Sequence, residues 1–138
     1  MAATHSRLHM IKPFGFSTND RQLKRAGLDY WPFLDLEIHE HLDDLLMQKP
    51  WKFAFLAKTA RKPYTDIPTD TDLLVFGRET KGLTSELWDR YSDHFYGIPL
   101  LNPNVRSLNL ANSVSIVLYD QLQKRGIQHG VYQDESRV

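Results

Sequence analysis

Two short apolar runs constrain this chain most. After their first residue, Lys52-Phe53-Ala54-Phe55-Leu56-Ala57 and Asp72-Leu73-Leu74-Val75-Phe76 are apolar at successive positions rather than alternate ones. Strands with that pattern are covered on both faces, as in parallel sheets flanked by helices. Each run stops at glycine or small polar residues, and helical segments fall between the runs. The pattern predicts an α/β fold: an open, mostly parallel sheet with helices on both faces. Further strands are expected at Arg7–Ile11, stopped by Pro13 and Gly15, at Leu34–Ile38 and at Phe95–Leu100.

Helices are expected over Asp20–Ala26, ended by Gly27, over His41–Gln48 and over Thr84–Tyr91 with Thr84 or Ser85 at the cap. The clearest helix is Leu110–Arg125. Leu110, Ala111, Val114, Val117, Leu118, Gln121 and Leu122 recur at helical spacing, Asn109 is placed to cap the start, and Gly126 supplies the stop. Residues 1–130 are expected to form a single domain, and 131–138 a polar tail.

Composition narrows the function classes. The chain has 138 residues, enough for one domain with its own core. It has no cysteine, which excludes disulfides and thiolate metal sites. No apolar run approaches the ~20 residues of a membrane span, and no apolar segment of a secretory signal follows Met1–Arg7. A cytoplasmic protein without a membrane partner is expected. Basic and acidic residues balance at 17 each, so nucleic acid is not coated by charge alone. The balance is local, however. Arg7, Lys12, Arg21, Lys24 and Arg25 outnumber Asp20 and Asp29 in residues 1–30, and the next twenty residues are acidic.

Ligands of open α/β sheets sit beyond the carboxyl ends of strands. Three loops qualify: Ala57–Thr59, Gly77–Gly82 and Pro99–Ser107. Gly77-Arg78-Glu79-Thr80-Lys81-Gly82 is neither a Walker loop nor a dinucleotide fingerprint, and on spacing alone a structural turn explains it as well as a ligand site. Ser107 and Asn109 lead into the last helix, where free N–H groups gather, although simple capping explains them too. His39 and His41 would share a strand face and could chelate, but no third ligand is evident, so no metal is expected. The basic helix at Arg21–Arg25 and the aromatic rings of Tyr30, Trp31, Trp51 and Tyr64 are candidates for touching RNA. A solvated face and core packing are the plainer readings. No Ser/His/Asp constellation can be named.

Three blocks, taken together, resemble the SPOUT superfamily, in its SpoU-like branch of tRNA wobble-nucleotide 2′-O-ribose methyltransferases. The first is Ile11-Lys12-Pro13-Phe14-Gly15-Phe16 with Asp20 through Ala26-Gly27-Leu28-Asp29-Tyr30. The second is Leu74 through Leu83. The third is Ile98-Pro99 and Arg106 through Ser115, ending Val117-Leu118-Tyr119-Asp120. The resemblance implies a C-terminal trefoil knot, S-adenosylmethionine as methyl donor, a homodimer, and tRNA as partner at its anticodon loop. By position it implies that Phe55, Leu56, Ala57, Gly77, Ile98, Leu100 and Ser107 bind the cofactor. Ser107 and Asn109 would orient the reacting groups. The reaction implied is direct displacement: the ribose 2′-oxygen attacks the sulfonium methyl, and the protein positions the reactants and removes a proton. No metal is required.

The chain departs from the family at its start. Members begin with a strand and a helix start of the type Asn-x-Gly-Asn-x-x-Arg, whose arginine is the candidate for activating the hydroxyl. Here Met1–His5 falls where that helix should end. The first strand is therefore expected to be missing, and catalysis by the chain as written to be impaired. The alternative reading is a non-catalytic RNA-binding or dimeric scaffold that retains the crevice. A generic α/β domain predicts no cofactor binding at all.

Overall fold

The computed structural model describes residues 2–13, 31–78 and 81–126. The chain divides into two compact units, Met1–Pro50 and Trp51–Val138. The basic helix expected over Asp20–Ala26, Tyr30, Glu79, Thr80 and the tail 131–138 lie outside the described residues.

In the first unit, β1 (Leu8–Ile11) and β2 (Leu36–His39) pair in parallel, with Leu8 opposite Leu36 and His9 opposite Glu37. Leu8 N donates to Asp35 O at 2.8 Å and Lys12 N to His39 O at 2.9 Å, which extends the ladder at both ends. Helix α1 (Leu42–Leu46) follows. It is shorter than the expected His41–Gln48 and buries Leu45. Asp44 accepts from the His41 backbone N–H at 3.1 Å, one half of a capping box.

In the second unit, β3 (Phe53–Leu56) lies between β4 (Leu73–Phe76) and β5 (Phe95–Tyr96), all parallel, in the order β4-β3-β5. Side chains of β3 alternate between two apolar faces. Ala54 and Leu56 join Ile67, Tyr96 and Val117 in one buried cluster, against which Tyr64, Leu74, Phe76 and Ile98 pack. Phe53 and Phe55 point the other way. The Phe55 ring stacks on Phe95 at 5.0 Å and on Tyr91 at 5.4 Å, and Trp88 meets Phe95 edge-on at 4.4 Å. Helix α2 (Ser85–Tyr91) thus covers one face, and α3 (Leu110–Lys124), through Val117, the other. This explains the unbroken apolar pattern of β3.

The single open sheet expected from sequence is described instead as two separately paired parallel sheets, one in each unit. Among the described residues, no strand pairs on the outer side of β1 or of β4. Strand β5 is also shorter than Phe95–Leu100. After Tyr96 the backbone leaves the ladder: Gly97 N donates to Lys62 O, and Gly97 O accepts from Tyr64 N, each at 2.8 Å. Pro99 then has no N–H to continue with.

Helix α3 is capped by Asn109, whose Oδ1 accepts from Asn112 N at 3.2 Å, as its sequence position predicts. Gly126 takes φ +76° at the stop, where a side chain would be strained. Val117 and Gln121 are buried, but Ala111, expected on the apolar face, is exposed. The C-terminal turn is pinned to the loop before β4. Gln121 Nε2 donates to Ile67 O at 3.1 Å, Lys124 Nζ to Thr65 O, and Arg125 to the carbonyls of Thr69 and Thr71.

Candidate functional site

The three loops singled out by sequence all leave the same edge of the β4-β3-β5 sheet, because its strands are parallel. Hydrogen bonds tie the first loop to the end of β5 and to the third loop. Ala57 N donates to Tyr96 O at 2.9 Å, and the two bonds of Gly97 to Lys62 and Tyr64 continue the contact. The Lys58 ammonium donates to Arg106 O at 3.3 Å, one residue before Ser107. Gly97 has no room for a side chain, since a Cβ there would lie 3.0 Å from both Ala57 O and Ala60 O. Sequence reasoning passed over Gly97. Its signal was a glycine at the end of an apolar run, the same signal that singled out Gly77.

The second loop closes on itself. Gly82 N donates to Arg78 O at 2.8 Å, and Gly82 adopts φ +63°. A Cβ on Gly77 would meet Gly82 C at 2.3 Å and Leu83 N at 2.6 Å. The first demand on Gly77 is therefore this turn's own backbone, so the structural explanation of the motif holds whatever binds nearby.

Between the first and second loops opens a crevice of about 440 Å³, within the ~300–1,000 Å³ of small-molecule sites. Ala57 and Thr59 form one side, Leu83, Thr84 and Ser85 another, with Trp88 and Phe95 as apolar walls. The Thr84 hydroxyl caps α2 by accepting from Leu87 N at 3.4 Å. Of the residues expected to bind cofactor, Ala57 alone lines this crevice. Phe55 is fully buried in the aromatic stack and Leu56 is buried in the opposite cluster, so only their backbone is positioned to serve a ligand. Ile98 packs against that cluster, Leu100 is half-buried, and Ser107 is exposed. Asn109 is exposed and its side-chain oxygen is engaged in the cap. Leu83, Ser85 and Trp88 were not foreseen, because nothing in a helix start or an amphipathic helix marks which residues will face a cavity.

In the first unit the histidines are not arranged as the sequence suggested. Strand β2 ends at His39, and His41 turns out at the start of α1, so the two do not share a strand face. His39 meets His9 and Glu37 instead. Burial pushes the His9 imidazole below its usual value. The hydrogen bond from Gln48 holds the Glu37 carboxyl below the ordinary range.

The profile of the SpoU rRNA Methylase family matches residues 1–119. A protein of Bacillus subtilis (strain 168) is 43% identical over 129 residues, covering 90% of this chain and 80% of the relative. A protein of Methylovorus glucosotrophus (strain SIP3-4), named tRNA (cytidine(34)-2'-O)-methyltransferase, is 40% identical over 122 residues, 86% of this chain and 79% of the relative. A crystal structure from Bacillus anthracis superposes with a TM-score of 0.86 at 34% identity, over 96% of this chain and 86% of the other. With most of its length matched by the profile and the same fold in a 34%-identical structure, this chain belongs to the SpoU methylase family.

Proposed function

We propose that this protein transfers the methyl group of S-adenosylmethionine to the ribose 2′-hydroxyl of a tRNA wobble nucleotide. The observation that carries the proposal is that three loops leave the carboxyl ends of parallel strands β3, β4 and β5, where α/β sheets bind ligands, with a crevice beside the first. The naming of a 40%-identical relative supplies the substrate class. S-adenosylmethionine contributes an electrophilic methyl. The chain's own part is to hold the reactants in line and to exclude water. In this reading Ala57, Gly77, Ile98, Leu100 and Ser107 surround the cofactor, with the backbone of Phe55 and Leu56 behind them. Ser107, exposed at the end of its loop, orients the reacting groups, and Asn109 holds the helix start that carries it.

The finer features of the family belong to the same proposal. Residues 1–130 form one methyltransferase domain, with 131–138 as a tail, and the protein works in the cytoplasm. Among the described residues no helix is long and apolar enough to cross a membrane. The hydrogen bonds of Gly97 to Lys62 and Tyr64, and the anchoring of α3 on the 65–71 loop, are in keeping with the C-terminal trefoil knot that we propose. Leu101, Val105, Ile116 and Tyr119 are exposed apolar residues of the second unit, which supports a homodimer that covers them.

The test is calorimetric titration with S-adenosylhomocysteine, followed by transfer of labelled methyl to tRNA. Saturable binding with labelled ribose is expected. Binding without transfer would replace the enzyme with a scaffold that keeps the crevice, and a folded chain that binds nothing would overturn the reading.

A further inference from the structure

The β1–β2 pair carries a cluster that methyl transfer does not use. In parallel register His9 lies opposite Glu37, and His39 follows Glu37 by two residues. Strand side chains alternate between faces, so all three share one face. His9 Nδ1 and His39 Nε2 are 3.0 Å apart. Glu37 Oε2 lies 3.8 Å from His9 Nδ1, and Glu37 Oε1 3.5 Å from His39 Nε2. The His39 side chain is 5% exposed and that of His9 10%, whereas Glu37 is 36% exposed. Two imidazole nitrogens and a carboxylate therefore converge on one point, closed on the histidine side and open to solvent on the glutamate side.

We propose that His9, Glu37 and His39 bind one divalent transition-metal ion, zinc by preference, which staples β1 to β2. The spacing fits. Two imidazole nitrogens 3.0 Å apart, and a carboxylate that offers one oxygen at 3.8 Å to His9 and the other at 3.5 Å to His39, stand near the ~3.4 Å that separates ligands about 2.1 Å from a tetrahedral ion. The donor set fits as well, since imidazole with one carboxylate suits zinc and its neighbours rather than calcium or magnesium. Solvent completes the coordination on the open side. Gln48 Nε2 donates to Glu37 Oε1 at 3.0 Å and so orients the carboxylate from outside, as partners of metal ligands commonly do. Arg7 Nη1 stands 3.5 Å from Glu37 Oε2. Its charge opposes a cation and sets the affinity below that of a site without it. A two-stranded sheet is only marginally stable by itself, and an ion bridging β1 and β2 adds a cross-link to the Arg7–Asp35 and Lys12–Glu40 ion pairs at its ends.

The test uses the full chain without a histidine tag, stripped of metal and titrated with zinc chloride at neutral pH. One ion per chain is expected. His39→Gln and Glu37→Gln should each weaken binding at least tenfold, and Gln48→Ala about tenfold. His5→Asn, which alters an exposed histidine outside the cluster, should change nothing. Zinc should also raise the midpoint of thermal unfolding. X-ray absorption at the zinc edge of the unmodified protein does not depend on variants folding, and two imidazoles with light oxygen ligands are expected. No saturable binding, retention of binding in the His39 and Glu37 variants, or a shell lacking two imidazoles would each overturn the site and leave a hydrogen-bonded histidine pair.

Discussion

Gly77 and Asn109 each answer to a local structural demand, a tight turn at one and a helix cap at the other. At Gly77 a methyl group would overlap the backbone of Gly82 and Leu83, and backbone cannot swing aside as a side-chain tip can. Gly77→Ala should destabilise the protein by about 1–3 kcal/mol and weaken S-adenosylhomocysteine binding by opening the loop, measured by urea unfolding and calorimetry on the same sample. Unchanged stability with lost binding would mean that the glycine answers to the ligand and not to the turn. Asn109→Ala removes the cap on α3 and should cost about 1 kcal/mol. Asn109→Asp keeps the accepting oxygen and should retain most of that stability, so a fall in methyl transfer with Asp but not in stability would assign the amide a role beyond the cap.

At the scale of elements, α3 is held by the buried Val117 on its apolar stripe and by a polar end that grips the 65–71 loop. Arg125 donates to Thr69 O at 2.8 Å and also to Thr71 O, and Thr71 is only 6% exposed. Arg125→Ala leaves the Thr71 carbonyl short of a donor and should cost about 1–3 kcal/mol, read as a lower urea midpoint. A neutral result would show that water replaces the guanidinium. The sequence places Lys124 and Arg125 at the end of α3, where basic side chains favour the helix dipole. It could not mark them as donors to a loop more than fifty residues earlier, since that contact depends on where the loop is carried.

For the molecule as a whole, the exposed apolar residues of α3 bear on assembly. Ile116 and Tyr119 lie three residues apart on one helix face and are 37% and 56% exposed. If the proposed homodimer uses this face, Ile116→Glu should convert it to a monomer by light scattering without loss of helical circular dichroism. A monomeric parent protein, or a variant that remains dimeric, would remove α3 from the interface.

The sequence by itself determined the elements and their chemistry. The unbroken apolar runs of β3 and β4, the cap at Asn109 and the stop at Gly126 are local signals, because propensity, capping and turn conformation act within a few residues. The family motifs were legible for the same reason, as they are contiguous. Only the tertiary structure decided what meets across distance. It paired the strands in two parallel sheets, and it sent the chain after Tyr96 to Lys62 and Tyr64 in place of a longer strand. It buried the Phe55 ring that sequence had assigned to a ligand, and it moved the partner of His39 from His41 to His9 and Glu37. Those outcomes depend on strand register and on which face each side chain takes, and register is fixed by the packing of the whole unit rather than by any local run of residues.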